Sequence, residues 1–113
     1  MDLRLFLLAA LSAFIGSLGQ LEFKRGAGTF EFDVYSFITN IHLMSGIILY
    51  IFSTIIYIYV LREGRLSIIY PIIATSYIWT TIFARVFLNE PINIVTWAGI
   101  ALILLGVTLI TYR

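Results

Sequence analysis

The sequence predicts an all-α integral membrane protein, a single domain of four transmembrane helices over residues 1–113. Three observations predict it. Four apolar stretches, at about 5–21, 38–61, 66–87 and 92–112, fill nearly the whole chain. Each approaches the roughly 20 apolar residues that a helix needs to span the hydrocarbon core. Hydrophobic residues make up 61% of the chain and charged ones only 12%, too few polar groups to clothe a water-soluble domain.

The first span follows Arg4 and ends where Glu22, Lys24 and Arg25 arrive, with Gly26 and Gly28 breaking the pattern. A cleavable signal peptide is its competing reading. Against that, Ala9, Ser12, Ala13 and Gly16 recur at helical spacing instead of gathering at a cleavage site. The connection from Gly26 to about Asn40 mixes Glu31 and Asp33 with Phe30, Phe32, Tyr35 and Phe37. Aromatics interleaved with acids suit the headgroup level of a bilayer. The second span stops at the charged turn Arg62-Glu63-Gly64-Arg65.

The third span begins near Ser67 and carries Pro71 in about its first turn, where a missing amide hydrogen costs little. It closes at Asn89-Glu90-Pro91. There Asn89 or Glu90 is expected to cap the fourth helix, with Pro91 in its first position. Connections after the second and third spans are short, so those neighbours pack antiparallel. With cytoplasmic termini the inner ends hold Arg4, Arg62, Arg65 and Arg113, against Lys24, Arg25 and Arg85 outside. That balance favours cytoplasmic termini only slightly under the positive-inside rule, and insertion in both orientations stays open.

Several function classes drop out. The chain has no cysteine, so neither a disulfide framework nor a thiolate metal site is available. A net charge of +1 gives no reason to expect nucleic acid as a partner. His42 stands alone and cannot build a metal site; structural hydrogen bonding is its simpler role, proton relay its alternative. No nucleophile sits beside a base and no glycine-rich loop is built to cradle phosphate. A non-enzymatic function without cofactor is expected.

Gly99 and Gly106 stand seven apart, two turns along one face of the fourth span. Small residues so placed let another helix approach closely. The motif resembles the fourth-helix dimer motif of the small multidrug resistance family, within the drug/metabolite transporter superfamily. Chain length and four-helix layout agree with it. That family carries a membrane-embedded glutamate in its first helix for cationic drug and protons; aligning on Ile15-Gly16 puts Ala13 there.

A closer resemblance is to the small four-helix subunits of the flippase for aminoarabinose on undecaprenyl phosphate, which also lack that glutamate. The matching features are Gly19-Gln20-Leu21 with Lys24, Ile69-Tyr70-Pro71-Ile72, Trp79, Arg85, Glu90-Pro91, Trp97 and the glycine pair. The likeness is strongest from Leu66 to Ile110 and weakest in the connection after the first span.

The polar groups within the spans are the candidate site. An unpaired amide in lipid costs several kcal/mol (order of magnitude), so Gln20 is expected to face protein or a water-filled groove. It either hydrogen-bonds a headgroup or makes an interhelical contact; Lys24 one turn on either pairs with phosphate or snorkels. Tyr70, Ala74, Tyr77, Thr81 and Arg85 fall on roughly one face of the third span. Arg85, with two parallel donors and a permanent charge, suits a phosphate; its plainer reading is a snorkelling partner of Glu90. Tyr70 and Tyr77 either line a pocket or join Trp97 and Tyr112 in an aromatic belt. Glu22 reads as a salted helix end.

Four such helices cannot enclose a sizeable path alone, so the functional unit is expected to be a dimer sealed through Gly99 and Gly106. It is either a homodimer, antiparallel if alternating access uses inverted symmetry, or a heterodimer with a related four-helix subunit. The resemblance implies movement of a polyprenyl-phosphate-linked sugar, or a similar amphipathic anion, between leaflets of the cell (inner) membrane. Two alternatives stand beside it: a small-cation exporter, and a non-transporting partner of a larger membrane enzyme.

Overall fold

The computed structural model describes residues 3–111, with backbone alone at positions 67, 110 and 111. Tyr112 and Arg113 lie outside the described residues. The elements are α1 (Leu3–Ala27), α2 (Val34–Thr39), α3 (Ile41–Glu63), α4 (Leu66–Ile73), α5 (Ser76–Phe87) and α6 (Ile94–Thr111). Every element is helical, as the apolar pattern requires.

α1 is the central helix. It packs along α3 and also touches α4 and α5, while α6 rests on α4. The α1–α3 contact is close because small residues line it. A Cβ on Gly19 would meet the Gly46 carbonyl oxygen at 3.2 Å, and one on Gly46 would reach the Phe23 ring at 2.7 Å. Ala9, Ser12, Ala13 and Ser17 are buried on the same helix. The small-residue row expected in the first span is thus a helix–helix contact. At one end Leu5, Ala9, Val60 and Ile69 form the apolar core.

The outer faces tell the solvent. Ile48, Ile51, Phe52, Ile55 and Ile58 form an exposed row along α3, and Val95, Leu102, Leu105 and Leu109 do the same on α6. Water would not tolerate so large a continuous apolar face; lipid does. By length and composition α1 and α3 are each able to cross a membrane.

The structure differs from the sequence expectation at three places. The third span is two helices, not one. Pro71 lies inside α4, past its first turn, where it removes a ladder donor and crowds the preceding turn. Beyond it the backbone tightens: Thr75 N donates to the Ile72 carbonyl, Tyr77 N to Ala74 and Ile78 N to Thr75, all three residues apart. Thr75 Oγ1 also donates to the Ile72 carbonyl, at 2.6 Å.

Second, the fourth-span cap is Asn93, not Asn89 or Glu90. Its Oδ1 accepts from Thr96 N at 3.0 Å, and α6 starts at Ile94. Asn89 instead adopts a left-handed φ of 55°, ending α5 so that Glu90 N donates to the Ala84 carbonyl. Pro91 therefore precedes the helix.

Third, the connection after α1 contains the short helix α2. Asp33 caps it by accepting from Ser36 N, and Ser36 Oγ accepts from Glu31 N in return. Asn40 then joins both neighbours: Oδ1 caps α3 through Leu43 N, and Nδ2 donates to the Gly26 carbonyl that ends α1.

Candidate functional site

Two adjoining grooves run between α1 and its neighbours. The first, of about 250 Å³, lies among α1, α3, α4 and α5. Its polar walls are hydroxyls and one amide: Ser12, Ser17 and Gln20 from α1, Tyr50, Ser53 and Tyr57 from α3, Tyr70, Ser76 and Thr80 beyond them. Among the described residues no charged side chain lines it. The second groove, of about 200 Å³, continues between α1 and α5 and shares Ser17, Gln20 and Thr80 with the first. It ends at Lys24 and Glu90.

Each wall has a local cause. Tyr50, Ser53, Thr54 and Tyr57 sit at helical spacing on α3, so one stripe of an apolar helix is polar. Ser12 and Ser53 fix that stripe against α1: Ser12 Oγ donates to the Ser53 carbonyl at 2.9 Å, and Ser53 Oγ donates to the Ser12 carbonyl at 2.8 Å. Ser17 Oγ shares its proton between the Ala13 carbonyl at 2.9 Å and the Ser76 carbonyl at 3.3 Å. That second contact ties α1 to the first residue of α5, next to the tightened turn. Phe14 packs edge-on against Trp79 and Phe83, closing the α1–α5 seam beside the grooves.

The charges at the end of α1 are sorted. Glu22 holds Arg25 at 3.1 Å and the His42 Nδ1 at 2.8 Å. Arg25 also lies over the Phe87 ring, 5.6 Å from its centroid. Glu22 thus joins α1 to α3, and Arg25 joins α1 to the end of α5. Lys24, on the other side of the helix, faces the second groove and makes no ion pair among the described residues.

The sequence candidates divide accordingly. Gln20 lines both grooves, Tyr70 the first and Lys24 the second. Tyr77 and Arg85 line neither. The turn at Ala74-Thr75 interrupts the face on which the five residues from Tyr70 to Arg85 were expected, and Ala74 is buried. Arg85 is exposed, and among the described residues no ion pair joins it to Glu90. Gly99 and Gly106 have open space where a Cβ would stand. Sequence reasoning missed Ser17, Ser53, Tyr57 and Thr80; the polar stripe on α3 was the signal that would have found two of them.

A membrane helix assembly with an uncharged polar groove is transporter-like, and comparison decides the family. The chain matches the EamA-like transporter family over residues 3–112. It belongs to that family. Membership makes this EamA-like protein a membrane transporter and not an enzyme. Among curated relatives, the probable 4-amino-4-deoxy-L-arabinose-phosphoundecaprenol flippase subunit ArnE of Serratia proteamaculans is 29% identical over 108 residues, covering 94% of each chain. The probable ArnF subunit of the same kind of flippase from Shewanella sediminis is 31% identical over 125 residues, 94% of this chain and 86% of that one. ArnE of Pseudomonas syringae is 38% identical over 53 residues, a match spanning 47% of this chain and 49% of that protein. No solved structure matches. The expected kinship with small flippase subunits is therefore found in the curated relatives of this EamA-like chain.

Proposed function

We propose that this protein is one half of a dimeric flippase of the cell (inner) membrane, with four crossings, one of them made jointly by α4 and α5. Its substrate is a polyprenyl-phosphate-linked sugar or a similar amphipathic anion. The observation that supports this reading is the chemistry of the grooves: hydroxyls and an amide along the helices, with a lysine at one end. Hydroxyls replace water around a sugar, which offsets the desolvation that otherwise blocks its passage. Lys24 meets the phosphate through charge-assisted hydrogen bonds, and the apolar tail stays in lipid.

The relatives' names agree with a substrate of this type and describe subunits. A second copy inserted in the opposite sense, or a related four-helix subunit, closes the groove from outside and supplies inverted symmetry. The open face at Gly99 and Gly106 receives a partner helix. Tyr77 and Arg85 then meet the headgroup from a surface shared with that partner. A cation exporter instead needs an acid within the groove, where Ala13 stands, and Glu22 is held by Arg25 and His42.

The test is leaflet exchange of a fluorescent polyprenyl-phosphate-linked sugar in vesicles holding the purified chain, alone and with a candidate four-helix partner. Exchange faster than in protein-free vesicles, lowered by Lys24→Gln, is expected. Exchange at the protein-free rate in both preparations overturns the reading. Proton-coupled cation uptake lost in Glu22→Gln would install the exporter in its place.

A further inference from the structure

Lys24 and Glu90 carry opposite charges into the same groove of about 200 Å³ without bridging to each other. They come from different elements, the last turns of α1 and the α5–α6 connection. Neither makes an ion pair with any described residue. The nearest acid on its own helix, Glu22, is held by Arg25 and His42. Glu90 is fixed where it stands by the left-handed Asn89, which lets its own N–H reach the Ala84 carbonyl. The same groove is also lined by apolar Leu21, Phe83, Ala84 and Leu88. An apolar lining strengthens whatever charge interaction forms within it.

We propose that Glu90 is a specificity-determining residue, which with Lys24 selects headgroups that carry an ammonium beside their phosphate. The phosphate pairs with the Lys24 ammonium and the ligand's ammonium with the Glu90 carboxylate. A headgroup with phosphate alone satisfies Lys24 and leaves the carboxylate beside an anion, a like-charge penalty that discriminates against it. This rests on the flippase reading for the site, yet it is separable from it, because it concerns recognition and not movement. The same charge pair occurs on lipid-linked amino sugars and on phosphatidylethanolamine, and the test separates these sources.

The full chain in phosphatidylcholine vesicles is titrated with a polyprenyl-phosphate-linked amino sugar and with its N-acetylated form, which keeps the phosphate and loses the positive charge. The free amine is expected to bind about tenfold tighter, the scale of one charge-assisted hydrogen bond. Glu90→Gln should bring the two ligands together, by weakening the free amine and relieving the penalty on the N-acetylated one. Glu90→Asp should keep a preference, and Lys24→Gln should weaken both ligands alike. Competition by phosphatidylethanolamine as strong as by the amino sugar would assign the charge pair to a phospholipid; weak competition would assign it to the glycolipid. Equal binding of both sugar ligands to the wild type, or a preference surviving in Glu90→Gln, overturns the proposal. If the preference holds but no leaflet exchange occurs, the flippase reading falls and the role of Glu90 stands.

Discussion

Ser12 and Ser53 exchange hydrogen bonds across the α1–α3 contact, each hydroxyl donating to the other residue's carbonyl, at 2.9 and 2.8 Å. Both hydroxyl protons are used, so the two oxygens, 3.2 Å apart, touch as acceptors only. Polar contacts between membrane helices average about 0.6 kcal/mol and reach about 1.7. Ser12→Ala and Ser53→Ala are each expected to lower stability by that amount, measured by reversible unfolding in bicelles. A double-mutant cycle should show coupling, because the residues share one contact. Additive costs would mean that the pair does not act as a unit.

The glycines of this chain should sort into two groups. Gly46→Ala puts a methyl against the Phe23 ring and within 3.1 Å of the Gly19 carbonyl oxygen. Overpacking of this kind costs about 1–3 kcal/mol, and the loss should appear as a lower unfolding midpoint of the single chain. Gly99→Leu and Gly106→Leu meet open space, so the chain's own stability should hold. Cross-linking between chains should fall in these two variants and not in Gly46→Ala.

Much of this was legible in the sequence, and the reasons for the rest are physical. Hydropathy marks apolar stretches, and the stretches it marked became the helices of the fold, with α1 and α3 long and apolar enough to cross a membrane. It is silent on how a span is divided. Pro71 was visible, but its place in the helix depends on where the helix starts: from Leu66 it falls past the first turn, and the span divides further along, at Ala74-Thr75. The face expected from Tyr70 to Arg85 assumed an unbroken helix and was lost at that turn. Asn89 and Asn93 are the same residue type four apart, and only the backbone shows that one closes α5 while the other opens α6. In the site, Gln20, Lys24 and Tyr70 stood out as polar groups in apolar surroundings. Ser53 and Tyr57 did not, since serine and tyrosine are common in membrane helices and become a groove wall only once α1 lies opposite.

Asn89 offers a backbone test. Its φ of 55° lies where glycine carries no steric cost and asparagine a small one, whereas a β-branched residue is strained. Asn89→Gly is expected to be neutral or slightly stabilising. Asn89→Val should cost about 1–2 kcal/mol and loosen the connection that presents Glu90. Unfolding midpoints of the two variants, measured side by side, decide it.

Arg85 and Lys24 separate two ways of holding a phosphate. Lys24 lines the second groove and acts as a point charge, so Lys24→Arg should keep most leaflet exchange while Lys24→Gln loses it. Arg85 lies outside both grooves; in the proposed dimer it would reach a headgroup only across the surface shared with the partner, where its fork of parallel donors is the useful property. Arg85→Lys retains the charge and loses the fork; exchange is expected to fall about tenfold, the scale of one lost charge-assisted hydrogen bond. The fall should appear only in the preparation that contains the partner, because the single chain does not bring Arg85 to its own groove. Wild-type exchange in Arg85→Lys with the partner present would reduce Arg85 to a membrane-surface anchor and leave Lys24 as the phosphate ligand.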